Sequence, residues 1–453
     1  MYVAIADALA ADIRGGLLRP GDRLPTHRDL ARTLGVNVVT VTRGYAEAAR
    51  RGLVEGTVGR GTFVRSGARD RPAVLQEGSG PPLIDFNFNI PVTDPLLLDA
   101  GALFASFAEE PEQAHLFTGY QTHGLPEHRA AGAGWISRSG VAAEVDRVLV
   151  CGGVQHAMTL VLSVLARPGD VVLTEAQTYP GIKSLAGLLG LTLVAVASDE
   201  GGLLPDALEA ACAAPNVAAL YTMPTIHNPT GVQLAADRRQ AVVEIVRRHH
   251  VAVIEDDSFG FLCAQPPPTL ASLAPEQTWY IAGTSKSIAP GLRIGYLLVP
   301  DVGPGTAALV DRTAARVTAV GWMAAPLMAE IATRWIEGGA ADEVVARKRR
   351  EVAARRQLFD QICSAATTPS HRESPHVWLP LPVPWRADEF VGQARSRGVA
   401  LAQASAFTVG AAQPPPAVRV CLGTPPTRRL CKQGVSLLAQ LLEGQPQHTA
   451  LVV

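Results

Sequence analysis

The first fifty residues place apolar side chains at the spacing of α-helices. Apolar residues three or four positions apart over 2–13 predict one helix, which two consecutive glycines end at Gly15. Thr26 predicts the start of a second helix as its N-cap, with Asp29 three residues later as its capping-box partner. Asn37 caps a third predicted helix. Two helices joined by a short turn that contains glycine are typical of a helix-turn-helix.

The pattern changes to short extended segments after the third helix. Residues 53–55 and 62–64 predict two strands, which a glycine-rich turn joins into a small wing. Residues 1–65 are therefore predicted to form one winged helix-turn-helix domain. Residues 66–83 lack periodic apolar positions and are rich in Gly, Pro and charge, which predicts a linker.

The remainder of the chain alternates apolar runs with helical stretches. This alternation is typical of an α/β domain on a mainly parallel sheet, and we predict that the domain extends over residues 84–445. After about residue 304 the pattern shifts to long helices, and a smaller C-terminal α/β subdomain follows from about His376. The runs that predict buried strands are VDRVLV, DVVLTE, LTLVAVA, VAALYTMP, VAVIEDD and WYIAG.

Composition restricts the class of protein. A chain of 453 residues, 47% hydrophobic and 18% charged, suits a globular protein of two or three domains rather than a disordered one. The start carries Asp7 and Asp12 and lacks the basic region of a secretory signal, and no apolar stretch reaches the length of a membrane span. We therefore expect a cytoplasmic protein without membrane contact. The six scattered cysteines show no CxxC or CxxH spacing, which predicts neither a metal site nor disulfides.

The net charge of −1 is unevenly distributed. Residues 1–65 contain ten arginines, no lysine and six acidic residues, a balance of +4, so the remainder must sum to −5. A basic segment on an acidic body indicates contact with a polyanion. In a helix-turn-helix the second helix of the motif enters the major groove of DNA. The candidate DNA contacts on and around that helix, and at the tip of the wing, are Arg28, Asn37, Thr40, Arg43 and Arg60.

The alternative for each of these arginines is an ordinary solvated surface. The order of cap, turn, helix and wing favours DNA binding for the whole set. The segment PGDRLPTHRDLARTLGVNVVTVTRGY, followed by GLVEGTVGRGTFV, resembles the winged helix of the GntR regulators. This resemblance covers residues 1–65 and implies binding to double-stranded operator DNA.

A second set of polar residues follows the predicted strands of the α/β region. A site for pyridoxal 5′-phosphate (PLP) needs a lysine for a Schiff base, a carboxylate for the pyridine nitrogen, and an arginine with helix N-terminal N–H groups for the phosphate. It also needs a flat partner for the ring and a donor for the 3′-oxygen, and an amino-acid ligand adds an arginine for its carboxylate. The residues that match these needs are Lys286, Asp256, Arg293, Gly153 with Val154 and Gln155, Tyr179, Asn228 and Arg419.

Residues 85–442 resemble the fold-type I PLP enzymes, the aminotransferase family. The resemblance implies that Lys286 forms the Schiff base and that Asp256 pairs with the pyridinium nitrogen. It also implies that Tyr120 reaches the phosphate of a neighbouring subunit, as in a homodimer, and that Asn89 lines the ligand pocket. The other implied roles are the 3′-oxygen donor for Asn228, the phosphate site for residues 153–155 and Arg293, the stacking ring for Tyr179 and the carboxylate clamp for Arg419.

Three positions depart from the pattern of this family. Phe259 stands where a tyrosine usually shares the 3′-oxygen, and Val154 stands where the phosphate site often has Ser or Thr. Gly283 replaces a hydroxyl residue that usually holds the phosphate, so that Thr284 or Ser285 would have to substitute. Each loss removes one hydrogen bond, about 1–3 kcal/mol if the partner stays buried. We therefore expect PLP to bind less tightly than in the family and any turnover to be slow.

A GntR winged helix joined to an aminotransferase-like domain is the arrangement of the MocR regulators, which the chain resembles over nearly its whole length. This resemblance implies a PLP-dependent transcription regulator that senses an amino acid or amine through the Schiff base. Two alternatives stay open. The first is a working aminotransferase, in which Lys286 would also move the α-proton. The second is a regulator that responds to PLP itself and controls vitamin B6 synthesis. Arg419 counts against the last, since a carboxylate clamp indicates an amino-acid ligand.

Overall fold

Two compact units make up the chain, Met1–Gln76 and Glu77–Val453. The computed structural model describes residues 2–14, 17–18, 22–50, 53–57, 61–64, 83–90, 92, 107, 114–366, 368–410 and 412–444. Arg60 and residues 66–82 of the predicted linker lie outside the described residues. None of the helices in the described part of the chain is both long and apolar enough to cross a bilayer.

The first unit contains three helices and a hairpin, and both predicted caps are confirmed. The Thr26 hydroxyl accepts a hydrogen bond from the Asp29 N–H at 3.3 Å, and the Asn37 side-chain oxygen accepts one from the Val39 N–H at 2.9 Å. The two strands are antiparallel. The elements are α1 (Tyr2–Arg14), α2 (His27–Leu34), α3 (Val38–Arg50), β1 (Val54–Thr57) and β2 (Gly61–Val64).

One face of α3 forms the centre of this small domain. Val41, Tyr45 and Ala48 are buried on that face, and they belong to a core that also includes Leu9 of α1 and Val64 of β2. Because residues three and four apart share one face of a helix, the opposite face of α3, with Val39 and Arg43, is left toward solvent. The domain therefore presents the outer face of its third helix.

A seven-stranded sheet forms the centre of the second unit, in the order β4-β12-β11-β10-β9-β5-β6. Strands β11, β10, β9, β5 and β6 are parallel, whereas β12 is antiparallel to both of its neighbours. The predicted mainly parallel sheet is confirmed. Its strands are β4 (Val148–Cys151), β5 (Val171–Glu175), β6 (Thr192–Val196), β9 (Val217–Thr222), β10 (Ala252–Asp256), β11 (Thr278–Gly283) and β12 (Gly295–Leu298), with a short hairpin of β7 (Ser198–Asp199) and β8 (Gly202–Leu203).

Helices cover both faces of this sheet. Alternate residues of each strand point to opposite faces, so that Leu149 and Leu297 pack in one apolar core while Val148 and Leu298 pack in another. The helices of this region are α4 (His115–Thr118), α5 (Pro126–Ser137), α6 (Val154–Leu165), α7 (Pro180–Leu189), α8 (Pro205–Cys212), α9 (Ala236–His249), α10 (Leu270–Leu273), α11 (Thr284–Ser287), α12 (Thr306–Gly321), α13 (Pro326–Glu337) and α14 (Ala340–Ile362).

The C-terminal subdomain packs helices against a three-stranded antiparallel sheet in the order β13-β16-β15. A short strand from the start of the unit, β3 (Ile84–Asp85), pairs with β14 and so ties residues 83–90 to this subdomain. The elements are β13 (His376–Pro380), α15 (Ala387–Ser396), β14 (Val399–Ala400), β15 (Ala402–Gln403), β16 (Ala417–Cys421) and α16 (Arg428–Glu443).

The parallel strands bring the candidate cofactor residues to one edge of the large sheet. Tyr179 follows β5, Asn228 follows β9, Asp256 ends β10, and Lys286 follows β11. Carboxyl ends of parallel strands meet at a common edge, where α/β proteins bind their ligands. All six cysteines are free and buried, as expected for small core residues.

Candidate functional site

Lys286 lies on α11, the short helix that follows β11. Its ammonium group donates a hydrogen bond to the backbone carbonyl of Asn89. Burial lowers the pKa of Lys286 to about 8, and the positive charge of Arg419 contributes to the lowering. A lysine with this pKa has a substantial fraction of neutral amine near pH 8, and the neutral amine is the form that attacks an aldehyde.

Asp256 is the carboxylate at the end of β10, and it is 3% exposed. It accepts hydrogen bonds from the Tyr221 hydroxyl at 3.0 Å and from the Ser258 backbone N–H and hydroxyl at 3.0 and 2.5 Å. Burial raises the pKa of Asp256, and these hydrogen bonds and the nearby Lys286 oppose the rise. A buried anion of this kind is stabilised by a cationic partner, which suits a protonated pyridine nitrogen.

An anion-binding corner forms at the N-terminus of α6. Gly153 precedes this helix with φ +92°, and a Cβ there would lie 2.9 Å from Nη2 of Arg293. The guanidinium of Arg293 therefore lies directly over the helix start, and it donates to the Ser285 hydroxyl at 3.1 Å. Free N–H groups at a helix N-terminus together with an arginine form a phosphate site.

Thr284 and Ser285 have different roles in this corner. The Thr284 hydroxyl is buried and donates to the carbonyl of Ile294 at 2.8 Å, so that its proton is already committed. The Ser285 hydroxyl accepts from Arg293 and keeps its own proton available. Of the two candidates to replace the missing hydroxyl at position 283, Ser285 has the suitable geometry.

Arg419, on β16, is buried against neutral acceptors. Its guanidinium donates to the Asn228 side-chain oxygen at 2.6 Å and to the Asn87 carbonyl at 2.7 Å, and it lies 4.6 Å from the centre of the Phe407 ring. Since arginine only donates, the oxygen of Asn228 must face it, which leaves the Asn228 NH₂ group for another acceptor. Nε of Arg419 is buried without a hydrogen-bond partner.

Asn89 belongs to a hydrogen-bonded chain beside Lys286. The His376 ring donates from Nε2 to the His227 carbonyl at 3.0 Å, because a carbonyl oxygen only accepts. Its Nδ1 accepts from the Asn89 amide at 2.9 Å. Burial lowers the pKa of His376 to about 3, so that the ring stays neutral and holds this arrangement. Asn89 therefore contacts Lys286 through its backbone and His376 through its side chain.

Tyr179 and Gln155 meet over a glycine at the start of α7. A Cβ on Gly181 would lie 2.2 Å from Cε1 of Tyr179 and 2.6 Å from Oε1 of Gln155. The Gln155 amide donates to the Gly181 carbonyl at 3.0 Å. Burial raises the pKa of the Tyr179 hydroxyl, and the negative charge of Asp256 raises it further. The Tyr179 ring is thus held beside Gln155, near the anion-binding corner at the start of α6.

These residues fit PLP. Lys286 has a depressed pKa, Asp256 is a buried carboxylate, and Gly153 leaves the space that Arg293 occupies at a helix N-terminus. The unpartnered Nε of Arg419 adds a buried donor in the same region. The chemistry of this donor set matches an aldehyde, a protonated ring nitrogen, a phosphate and a ligand carboxylate.

The candidate DNA contacts of the first unit lie on its surface. Arg28, Asn37 and Arg43 are exposed, and Thr40 is half-buried. The Thr42 hydroxyl, next to them, donates to the Val38 carbonyl at 3.0 Å and also contacts a ring nitrogen of His27. The predicted contact at Arg60 lies outside the described residues and stays a prediction.

Comparison with known proteins identifies both units. Residues 86–433 match the family Aminotransferase class I and II, and residues 1–64 match Bacterial regulatory proteins, gntR family. The HTH-type transcriptional regulator YdeF of Bacillus subtilis is 34% identical over 98% of this chain and 94% of its own length. The HTH-type pyridoxine biosynthesis transcriptional regulator PdxR of Corynebacterium glutamicum is 29% identical over 63% of each chain.

The chain belongs to the class I and II aminotransferase family and, with its GntR domain, to the MocR-type transcription regulators. Solved structures agree in fold. LysN, the α-aminoadipate aminotransferase of Thermus thermophilus, complexed with N-(5′-phosphopyridoxyl)-L-leucine, superposes with a TM-score of 0.70 at 23% identity, over 80% of this chain and 92% of that one. The predicted family and fold class are confirmed.

Two departures of this regulator from the aminotransferase pattern are one packing arrangement. A Cβ at Gly283 would lie 2.5 Å from Cγ2 of Val154. A hydroxyl residue at 283 is therefore incompatible with this position of the Val154 side chain. The third departure, Phe259, is 3% exposed and packs edge-on against the His376 ring, with centroids 5.6 Å apart. Phe259 therefore provides an aromatic ring beside His376 but, unlike the usual tyrosine, has no hydroxyl to donate.

Lys348 is a buried residue of this region that the sequence does not reveal. Its ammonium group donates to the carbonyls of Lys286 and Ile288 at 2.9 and 2.8 Å, which ties α14 to the end of α11. Burial lowers its pKa to about 7. In the sequence it stands in a helix rich in charges, where a lysine is ordinarily exposed. Tyr221 and His376 were also missed, because their partners are distant along the chain.

Tyr120, the last of the candidate cofactor residues, lies on the surface of the second unit. It is 73% exposed and its ring lies 5.2 Å from that of Trp322, which is 59% exposed. Phe117, three residues earlier, is 72% exposed. A group of exposed aromatic side chains is typical of a surface that another protein covers. The role of Tyr120 in a neighbouring subunit stays a prediction.

Proposed function

We propose that this MocR-type regulator binds PLP on Lys286, senses an amino acid or amine in the same cleft, and changes its affinity for operator DNA in response. The observation that carries the proposal is the arrangement of charge around Lys286. Arg293 lies at the anion-binding corner, Asp256 is buried at the end of β10, and Arg419 is hydrogen-bonded to neutral acceptors. Arg293 would bind the phosphate, Asp256 the ring nitrogen, and Arg419 the carboxylate of a PLP-bound amino acid.

The residues around Lys286 would hold and orient the cofactor. PLP supplies an aldehyde that condenses with primary amines and a ring that withdraws electrons. The depressed pKa of Lys286 favours its neutral amine. Arg293, Ser285 and the N-terminus of α6 would hold the phosphate, and Asp256 would hold the ring nitrogen. The Asn228 NH₂ group, which Arg419 does not use, would donate to the 3′-oxygen.

Arg419 favours a ligand with a carboxylate. Its present partners are an amide oxygen and a peptide carbonyl, both neutral. A carboxylate would add the attraction of opposite charges and two parallel hydrogen bonds, which these neutral acceptors do not offer to the guanidinium. Arg419 is 7% exposed, so that water competes little for its guanidinium. This favours an amino acid over an amine.

Phe259 favours sensing over turnover. A phenylalanine donates no hydrogen bond to the 3′-oxygen, so that the electronic tuning of the ring is weaker than in a working aminotransferase. The aminotransferase alternative keeps its basis in Lys286, which would move the α-proton in a working enzyme. The regulator of vitamin B6 synthesis is favoured by the similarity to PdxR, and Arg419 counts against it.

Operator DNA and a second copy of the chain are the proposed partners. The basic first unit presents Arg28 and Arg43 on its surface, where they would contact phosphate or base edges. The exposed rings of Tyr120 and Trp322 would be covered in a homodimer, in which Tyr120 would reach the anion-binding corner of the partner subunit. A dimer would present two winged helices to paired half-sites.

Ligand selectivity at Arg419 tests this proposal. The PLP-loaded protein is titrated with amino acids and with the matching amines that lack the carboxylate, and the visible absorbance is recorded. We expect one amino acid to bind roughly 10- to 150-fold more tightly than its matching amine, because a charged hydrogen-bonded pair contributes about 1.5–3 kcal/mol.

Two variants serve as controls. Arg419→Ala should remove the preference for the carboxylate, and Arg419→Lys should restore part of it, since lysine keeps the charge without the two-pronged geometry. Equal binding of amino acids and amines by the wild-type protein, or no change of absorbance with any of them, would overturn the assignment of an amino-acid sensor.

A further inference from the structure

The first two residues of α3 expose apolar side chains. Val38 is 40% exposed and Val39 is 58% exposed, whereas Val41, Val54 and Val64 of the same unit are at most 3% exposed. β-Branched residues are also weak helix formers. Neither core packing nor helix propensity therefore explains two consecutive valines at this position.

The helix geometry directs Val39 away from the core. Successive residues of an α-helix are about 100° apart, so that the buried face of Val41, Tyr45 and Ala48 lies opposite Val39 and Arg43. Val39 and Arg43 are four residues apart and are neighbours on that outer face. Val39 thus occupies the centre of the exposed face in the first turn of α3.

The polar neighbours of Val39 are partly committed within the protein. The Asn37 side-chain oxygen caps the helix by accepting from the Val39 N–H at 2.9 Å. The Thr42 hydroxyl donates to the Val38 carbonyl at 3.0 Å and contacts His27. At the centre of this face, the side chains left to meet a ligand are therefore the apolar Val39 and the cationic Arg43.

We propose that Val39, with Val38 beside it, contacts the 5-methyl groups of thymines in the operator. This inference rests on the proposed DNA-binding function. The thymine methyl is the apolar group that B-DNA displays in its major groove, and the residues at the start of the second helix of a helix-turn-helix reach base edges there. An exposed Val39 with the cationic Arg43 beside it matches that combination of an apolar group and nearby phosphates.

Arg43 sets the expected context of this thymine. It lies about 6 Å along the helix from Val39, at 1.5 Å per residue, and arginine most often contacts guanine in the major groove. The distance corresponds to roughly two base-pair steps of about 3.4 Å. Each half-site should therefore contain a thymine within two or three base pairs of a guanine.

Methyl deletion in the DNA tests the proposal. The PLP-loaded full-length protein selects binding sites from random duplexes, and each thymidine of the selected site is then replaced by deoxyuridine, which removes the methyl group alone. We expect a loss of about fourfold in affinity at one or two positions of each half-site, the effect of one buried methyl group. Val39→Ala should bind more weakly and should no longer distinguish thymidine from deoxyuridine.

Val302→Ala is the matched control, because Val302 is 45% exposed in the other unit and its variant should keep the full sensitivity. Selected half-sites without thymine, or a Val39→Ala variant that retains the deoxyuridine effect, would sink the proposal. A lowered melting temperature of Val39→Ala would assign Val39 to packing instead and would likewise overturn it. Salt-dependent binding without any methyl effect would end this inference and leave the DNA-binding function standing, whereas absence of DNA binding would end both.

Discussion

The two units build their candidate sites in opposite ways. In the winged helix the candidate contacts that the structure describes lie within sixteen residues, from Arg28 to Arg43, and three of the four are exposed. In the aminotransferase-like unit Lys286 contacts the backbone of Asn89, and Arg419 contacts Asn228, across 197 and 191 residues of sequence. The first site is local and solvated, whereas the second is assembled by the fold around the buried Asp256 and Arg419.

This difference determines how changes in each unit should act. An exposed side chain that contacts only DNA contributes little to stability, so that its removal should alter binding alone. A buried polar group is also a structural element, and its removal leaves partners unsatisfied. Variants of the first unit should therefore separate affinity from stability, and variants of the second should change both.

The largest expected effect concerns Lys286, one of only four lysines in the chain. Reduction of the PLP-loaded protein with borohydride should attach the cofactor to this lysine, and Lys286→Ala should carry no adduct. Lys348 is the internal control, because its pKa is also depressed, to about 7, yet its ammonium group donates to two carbonyls. Peptide mass spectrometry decides between them, and an adduct on Lys348 would refute the assignment.

Arg43 tests the solvated side of the comparison. Arg43→Ala should weaken operator binding by roughly 5- to 150-fold, equivalent to the 1–3 kcal/mol of a good base contact, and should leave the melting temperature unchanged. Arg395→Ala removes the same charge from an exposed position of the other unit and should have no such effect. If Arg43→Ala melts earlier, or if both variants bind alike, the contact is not at Arg43.

The pH dependence of stability tests the buried site at His376. Its folded-state pKa is about 3 and a free histidine titrates near 6.5, so the unfolded chain takes up the proton first as pH falls. The stability contribution of the neutral ring is therefore complete above about pH 6.5 and is progressively lost from there toward pH 3, by roughly 2 kcal/mol at pH 5.

Urea unfolding at pH 7 and pH 5 measures this loss. Tryptophan fluorescence reports the second unit alone, because all six tryptophans lie between residues 135 and 385. His376→Gln should show a smaller loss between the two pH values, and His250→Asn, at an exposed position, should behave as the wild type. An equal loss in all three proteins would mean that His376 is not held neutral.

The sequence predicted the features that depend on local chemistry. The caps Thr26 and Asn37, the hairpin and the parallel strands follow from residue type and spacing, and the structure has them where expected. The edge at which Asp256 and Lys286 meet follows from the alternation of strands and helices. Such features need no knowledge of distant contacts.

The features that were missed depend on packing between distant segments. No pattern near Lys348 indicates that α14 brings it to the carbonyls at 286 and 288. Val154 and Gly283 are two separate departures in the sequence, and only the 2.5 Å between Val154 and a Cβ built at Gly283 shows that they are one packing arrangement. The exposure of Val39 likewise depends on which face of α3 the domain buries.

Coupling between the two sites tests the regulator most directly. Operator affinity of the PLP-loaded protein is measured by fluorescence anisotropy with and without the amino acid that shifts its absorbance, and the affinity for that amino acid is measured with and without operator. Linkage requires both affinities to change by the same factor, roughly 5- to 150-fold for typical coupling. Arg419→Ala should reduce that factor. Rapid multiple turnover between that amino acid and a keto acid, with operator affinity indifferent to the ligand, would instead show a working aminotransferase.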